Sequence, residues 1–362
     1  MGVGERKPSI TTQINPIAAR QQFMIRKCRS LFTLILFISG VLVNTSVYST
    51  PEQATPIIEK FIWDEDVRPE TLQIIVEASG YRIFWWNVRN GLVNRKLPKP
   101  SLDENLISLI HSSIRPDLLA FAEYSSKALA AETQNRLAEV YPYHHFEPYN
   151  SANTAVGIAI YSRTKLAMEL LGHLDWTPPS LESITEKNTY RKSWRLIKDS
   201  FTRPLLCLKI VRRDTPFYIL PVHLLDPWRI LLKRKGVLST MAEVMGGSDN
   251  PLWFQMGYLE DNLRKRFGDD LGRSPFLIFG DFNTPQGSGL STIGYRRLTK
   301  TLKDVIAGNP TTFPAQSSPE RKHFPELNLD HGFTNGQLEV SVAEVLPLQG
   351  SNHYALYFVL EN

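Results

Sequence analysis

Phe276-Leu277-Ile278-Phe279-Gly280-Asp281-Phe282-Asn283-Thr284 is an apolar run that breaks at a glycine and continues into an acid and an amide. Large aromatic and branched residues in succession read as a strand buried on both faces. The same arrangement recurs along the chain. Ile83-Phe84-Trp85-Trp86-Asn87 ends in an amide, Leu118-Leu119-Ala120-Phe121-Ala122-Glu123 in an acid, and Tyr218-Ile219-Leu220-Pro221-Val222-His223 in an imidazole. Leu327-Asn328-Leu329-Asp330-His331 ends in an acid and an imidazole, and Gly350-Ser351-Asn352-His353 opens the last apolar run. Strand ends of a sandwich gather along one rim, so these side chains can meet in one cleft.

Working outward, strands are predicted over 72–78, 82–88, 117–122, 155–161, 205–211, 216–222, 275–280, 338–346 and 354–360. Helices are predicted over 102–113, 126–139, 229–245 and 252–267. Many strands and few helices point to two sheets packed face to face with helices outside them, rather than a strictly alternating parallel sheet. No strong boundary signal interrupts residues 71–362, which read as one catalytic domain. The long connections 172–203 and 229–275 have the length of functional or structured insertions.

A chain of 362 residues with 42% hydrophobic and 21% charged residues has an ordinary globular composition. That excludes collagen, a disordered tail and a polytopic membrane protein. Two cysteines exclude a disulfide scaffold. Cys207, in a strand-like run, reads as a small buried hydrophobe.

The beginning of the chain reads as an address. Basic residues between Met24 and Ser30 precede the apolar run Leu31 to Val43, and Val47-Tyr48-Ser49 places small residues for cleavage before Thr50. Extended to Tyr48, the run becomes an uncleaved anchor. Residues 1–49 are therefore expected to be a signal peptide or an N-terminal membrane anchor, with Met24 as a candidate translation start. Residues 50–70, with three prolines and no period, read as a linker. The expected product is exported. It is periplasmic or secreted after cleavage; otherwise it is attached to the membrane through residues 31–48 with its catalytic domain outside the cytoplasm. Six of the 41 Lys+Arg and one of the 36 Asp+Glu lie in residues 1–49, leaving 35 of each, so the formal charge of +5 belongs to the leader.

Carboxylates with amide oxygens suit a hard cation such as Mg²⁺, which keeps water ligands and takes few protein carboxylates. Histidines beside it can donate to a phosphate oxygen and handle protons near neutral pH. Metal-assisted displacement at phosphorus follows as the natural chemistry. Zinc is less suited, because His144 and His145 are adjacent and no His/Cys pair has short ligand spacing. Singly, each group has an ordinary alternative: Glu123 as a helix-entry acid, Asp281 to Pro285 as an Asx turn, His223 as a half-buried histidine, Asn87 as the start of a turn. Their joint occurrence carries the reading.

Gly280-Asp281-Phe282-Asn283-Thr284, preceded in order by Asn87-Val88-Arg89, Pro116-Asp117 leading to Glu123, and Val222-His223-Leu224, and followed by Leu329-Asp330-His331 and Ser351-Asn352-His353, resembles the endonuclease/exonuclease/phosphatase superfamily with its deoxyribonuclease I-like fold. The resemblance spans residues 82 to 359. It implies an α/β (α+β) four-layered sandwich of two mostly antiparallel sheets flanked by helices, and Mg²⁺-dependent phosphoester cleavage with Mn²⁺ as the alternative ion. By the same resemblance, Asn87 and Glu123 are the metal-side pair and His223 contacts the scissile phosphate. Asp281 orients or deprotonates the attacking water, and Asn283 binds a phosphate oxygen or holds Asp281. His353 is the second catalytic histidine, with Asp330 fixing its tautomer. The implied partner is a phosphoester substrate: nucleic acid, a phospholipid head group or a small phosphoester. No obligate protein partner is inferred.

Three positions and one segment depart from the family pattern. Asn352 stands where Asp is usual, which leaves it as a second-site or phosphate contact and opens an alternative: a weakened member that binds a phosphorylated ligand without turnover. Ala122 stands where Gln is common, and Arg89 where the abasic-site repair branch has Asp. Residues 155–163 lack the Glu that pairs with the first histidine in the deoxyribonuclease branch. Loops 89–101, 172–203 and 224–250 are expected to decide the substrate. Trp176, Tyr190 and Trp194 are expected to pack their insertion onto the body, and basic stretches at 191–192, 212–213, 233–235 and 264–266 to be solvated faces.

Overall fold

Ile83 and Trp85 leave their strand on one side, Phe84 and Trp86 on the other, and all four are fully buried. A strand buried on both faces needs a layer above and a layer below, and the core divides accordingly into three slabs. Ile83, Trp85, Leu118, Ile158, Leu208, Ile219, Leu277 and Phe279 form the slab between two sheets. Phe84, Trp86, Leu106, Leu109 and Leu137 form an outer slab under one set of helices, and Leu220, Met256, Leu259, Leu263 and Phe267 form the other.

The computed structural model describes residues 60–65, 69–89, 99–150, 153–174, 202–225, 251–286, 293–306, 308, 310–322 and 326–361. In chain order the elements are α1 (Pro69–Glu77), β1 (Tyr81–Asn87), α2 (Lys99–His111), β2 (Leu118–Tyr124), α3 (Ala131–Val140), β3 (Tyr143–Asn150), β4 (Asn153–Ser162), β5 (Ala167–Leu174) and β6 (Arg203–Arg212). They continue with β7 (Thr215–His223), α4 (Pro251–Phe267), β8 (Phe276–Gln286), α5 (Ile293–Leu298), β9 (Lys303–Asp304), β10 (Asn328–Thr334), β11 (Glu339–Leu346) and β12 (Ala355–Glu361).

Both sheets have six strands, in the orders β11-β12-β1-β2-β4-β3 and β5-β6-β7-β8-β10-β9. Each is mixed, with one parallel pair, β1 with β2 and β7 with β8, among antiparallel neighbours. A parallel pair needs a crossover. Helix α2 lies in the β1–β2 connection and α4 in the β7–β8 connection, so in both sheets the paired strands run the same way and end at the same rim. The four-layered sandwich expected from the sequence is the observed architecture.

Several elements differ from expectation. The strand predicted over 72–78 is the helix α1. Leu72 and Ile75 are buried while Ile74 is half exposed, a helical rather than an alternating period, and Pro69 occupies the first helical position, where its missing N–H costs nothing. The helix predicted over 126–139 begins only at Ala131, because the Asp103 carboxylate and Ser125 hydroxyl accept the N–H groups of Ala130 and Lys127 in the turn before it. Strands β3, β5 and β10 are missing from the predicted ranges: β3 and β5 lie at sheet edges with much of a face in solvent and lack an apolar run, and in the buried β10 Asn328, Asp330 and His331 interrupt it. The helix predicted over 229–245, residues 1–59 with the expected leader, the Trp176, Tyr190 and Trp194 insertion, and the basic stretches 191–192 and 233–235 lie outside the described residues. At the end of the expected linker, Phe61 is buried in the outer slab and Asn105 brackets Ile62 with hydrogen bonds to both its N–H and its carbonyl. No helix among the described residues is long and apolar enough to cross a membrane.

Candidate active site

The two parallel pairs deliver the first four side chains. In β1–β2, Asn87 sits opposite Ala122, one residue before Glu123; in β7–β8, His223 sits directly opposite Asp281. The antiparallel neighbour β10 places Asp330 opposite Asp281. The β7–β8 approach is possible only with glycine at 280: a Cβ there would lie 1.9 Å from the Val222 carbonyl oxygen, and φ is +141°. Arg89, two residues past β1, Glu123, next to last in β2, and Asn283, within β8, adopt left-handed backbone, with φ of +41°, +48° and +49°. Each costs about 1 kcal/mol or more relative to ordinary backbone, and all three sit at this rim, where strain of this kind concentrates in functional sites.

Asp281 is the hub. Its Oδ2 accepts from the Asn87 side-chain amide at 3.0 Å and its Oδ1 from the Asn283 N–H at 2.9 Å. The Asn283 amide in turn donates to the Leu224 carbonyl at 2.9 Å, which locks the loop after β7 to the turn in β8. His223 Nε2 stands 3.6 Å from Asp281 Oδ2 and 3.7 Å from Glu123 Oε1, and His353 Nε2 stands 3.7 Å from the same Asp281 oxygen. Two imidazoles thus face one buried carboxylate.

Behind His353, Nδ1 donates to Asp330 Oδ2 at 2.8 Å. Asp330 is held in turn by the Trp85 indole N–H at 3.3 Å, and its backbone N–H donates to the Thr312 hydroxyl. Trp86 ties its indole N–H to the His353 carbonyl, and Phe313 packs its ring against the imidazole. Behind His223 the arrangement is different: Nδ1 meets the Tyr149 hydroxyl at 2.5 Å, and that hydroxyl accepts the Glu123 N–H at 2.6 Å. The Arg203 guanidinium lies over the Tyr149 ring. Residues 155–163 hold no acid partner for His223; Tyr149 of β3 occupies that place, and a polar edge strand gave no signal for it. Ser351 donates to the Asn87 carbonyl, which fastens the loop before β12 to the end of β1. The neighbouring Asn352 is buried at the same turn. Arg89 pairs with Glu320 at the mouth on the Asn87 side.

Electrostatics separate the groups. Burial pushes Asp281 up to about 8, with the Asp330 charge adding to it and His353 opposing it. For His353, burial works against the imidazolium, but the Asp330 and Asp281 charges outweigh it and push the group up to about 9. Burial holds the Tyr149 hydroxyl well above its ordinary value. Cys207 is buried with its thiol pushed up to about 12, in keeping with a packing role.

Asp281, Asp330 and His353 can bring ligand atoms within 4.8 Å of one another. Within this trio Asp330 accepts from the Trp85 indole with one oxygen and from His353 with the other. The Asn87 side-chain oxygen, which also accepts the Arg89 N–H at 3.0 Å, and the part-exposed Glu123 carboxylate are hard oxygen donors on the β1–β2 side of the same cleft, and with Asp281 they fit the chemistry of Mg²⁺ better than that of zinc.

A family model described as "Endonuclease/Exonuclease/phosphatase family" matches residues 84–353. A search of curated proteins gives no match. Among solved structures, a beta toxin from Staphylococcus aureus is 17% identical, the alignment covering 78% of this chain and 100% of that one with a TM-score of 0.51. The human Nocturnin catalytic domain is 16% identical over 78% and 95% of the two chains, with a TM-score of 0.49. An endonuclease/exonuclease/phosphatase family protein from Leptotrichia buccalis is 14% identical over 78% and 99%, with a TM-score of 0.48. At 17% identity and a TM-score of 0.51, the likeness to the beta toxin speaks for the fold alone. The family match covers most of the chain and runs from β1 to His353, so it takes in the whole rim from Asn87 onward: the chain belongs to the endonuclease/exonuclease/phosphatase family.

Proposed function

We propose that the protein is an exported, divalent-metal-dependent phosphoester hydrolase whose substrate is a nucleic acid, a phospholipid head group or a small phosphoester. The observation that carries the reading is the buried Asp281 carboxylate facing two histidines and held by Asn87 and Asn283. Such a hub can take a proton from water at a fixed position while donors around it meet the charge on phosphorus.

Glu123 and the Asn87 side-chain oxygen would hold the metal, with Mg²⁺ the proposed ion and Mn²⁺ able to replace it. The chemistry supplied by such an ion would be neutralisation of charge on the phosphoryl oxygens. Asp281 aligns the attacking water and takes its proton as the water oxygen bonds to phosphorus. The bond from phosphorus to the leaving oxygen breaks, and that oxygen takes the proton from His353. Asp330 accepts from His353 Nδ1 and so keeps Nε2 aimed at the cleft. Asn283, whose N–H and amide are both committed to the scaffold, holds Asp281 in register. His223 donates to a phosphoryl oxygen. Asn352 lies beside this machinery as a phosphate contact. Export rests on the leader-like residues 1–49.

The test is hydrolysis of an aryl phosphodiester, plasmid DNA, RNA and sphingomyelin by the purified protein, with Mg²⁺ and with EDTA. Turnover of at least one substrate, lost in EDTA and abolished by Asp281→Ala, is expected. Hydrolysis retained by Asp281→Ala would sink the assignment, and absence of turnover across the panel would favour a ligand-binding family member.

A further inference from the structure

The two histidines that face Asp281 have different partners at their backs. His353 Nδ1 is backed by a carboxylate, Asp330, at 2.8 Å; His223 Nδ1 is backed by a phenol, Tyr149, at 2.5 Å. The phenol arrives from β3 through a paired irregularity in the ladder. Register slips between Pro148 and Asn150 on one side of β4 and between Phe121 and Tyr124 on the other, and Gly157 pairs with both Pro148 and Tyr124. A Cβ at 157 would lie 2.0 Å from the Glu147 carbonyl oxygen, so the close approach that brings Tyr149 under the end of β2 needs glycine.

A phenol hydroxyl has one proton to give. The Tyr149 oxygen already accepts the Glu123 N–H, and among the described residues the acceptor within reach of its own proton is His223 Nδ1. A proton on Nδ1 would aim two N–H groups at one oxygen and leave the buried hydroxyl proton without an acceptor. Nδ1 is therefore an acceptor, and the ring proton sits on Nε2, which faces the cleft between Glu123 and Asp281.

We propose that Tyr149 is a positioning residue that fixes His223 as the Nε2–H tautomer, so that His223 serves as a hydrogen-bond donor to the phosphoester while His353, backed by Asp330, carries the transferred proton. This rests on the phosphoester-hydrolase reading of the site. Two residues of one type take different roles because their environments differ, as carboxylate pairs do in other enzymes. Tyr149 also couples the two halves of the site, since the hydroxyl that sets His223 on β7 is oriented by the backbone of Glu123 on β2.

The experiment is long-range ¹H–¹⁵N correlation of the imidazole rings in the full chain at neutral pH in EDTA, with His223 assigned by its disappearance in His223→Gln. A protonated Nε2 and bare Nδ1 in the wild type, giving way to a mixed tautomer in Tyr149→Phe, is the expected result. A protonated Nδ1 in the wild type, or the same tautomer in Tyr149→Phe, overturns the proposal. On the substrate found active, Tyr149→Phe lowers kcat by roughly 10- to 100-fold with KM changed little, the usual range for an outer partner of a site residue; unchanged kcat overturns it. Should Tyr149→Phe fail to fold, the wild-type spectrum alone decides. The spectrum needs no turnover, so a failed hydrolase reading, seen as absence of turnover across the substrate panel, or a failed site assignment, seen as activity surviving in Asp281→Ala, is distinguishable from a failed tautomer.

Discussion

Asp281 is a carboxyl whose charged form its surroundings oppose, and the fold bears the cost of ionising it for the sake of the site. Its carboxyl is raised from an ordinary value near 3.8 to about 8, chiefly by burial. Below the ordinary value it is protonated in folded and unfolded chains alike, and its titration has no effect on stability. Between the two values the unfolded chain releases the proton more readily, so each rise in pH weakens the native state until the folded group also ionises. Asp281→Asn lacks this penalty. In EDTA, the melting temperature of Asp281→Asn minus that of the wild type is expected to grow from about pH 4 to pH 8 and then level off, while activity is lost. The variant also withdraws one charge that favours the His353 imidazolium, so the gap is smaller than the Asp281 shift alone implies. A gap that shrinks across that window in thermal melts would contradict the burial of an unfavourable carboxylate. The residues at this scale were legible in the sequence for a physical reason: a polar group at the end of a doubly buried strand interrupts an apolar run. Tyr149 was not, because its strand is an edge strand with a polar sequence and no run to interrupt.

At the scale of elements, the interior strands β1, β2, β7, β8 and β12 were readable because burial on both faces demands unbroken apolar sequence, whereas α1 was misread for the same reason. Leu72, Ile74, Ile75 and Val76 look strand-like in composition, and only the exposure of Ile74 beside buried Leu72 and Ile75 shows the helical period. Two glycines give a contrasting test of how tightly the elements are set. Gly257 lies within α4, where an added Cβ would meet the Arg297 guanidinium at an ordinary 3.5 Å. Gly257→Ala is expected to stabilise the protein by about 0.5–1 kcal/mol through helix propensity alone. Gly280→Ala meets the Val222 backbone between β7 and β8 and is expected to cost about 3 kcal/mol or more, with His223 and Asp281 displaced together and hydrolysis lost. Urea midpoints of the two variants check the pair, and a mild effect at 280 would mean that the parallel strands can part without harm to the rim.

For the whole molecule, the two sheets are built on one plan, each with a single parallel pair bridged by a crossover helix and each contributing a pair of site residues to the same rim. Neither sheet alone completes the site: Glu123 and Asn87 come from one, His223, Asp281 and Asp330 from the other, and His353 from the loop that enters β12. This rim therefore reports on the packing of the sheets, through Trp85, which lies in the slab between them and reaches Asp330. Charge belongs to this scale as well. Residues 50–362 carry 35 basic and 35 acidic side chains, so no net field draws a long polyanion to them. Each phosphate neutralised by a cationic side chain on duplex DNA contributes about −0.9 to the slope of log affinity against log salt. For duplex DNA, log kcat/KM against log KCl is expected to fall with a slope shallower than about −3, and for a small phosphodiester to be nearly flat. A slope near −6 or steeper on DNA would reveal a basic track that the balanced charge conceals, and would move nucleic acid ahead of the phospholipid and small-phosphoester substrates.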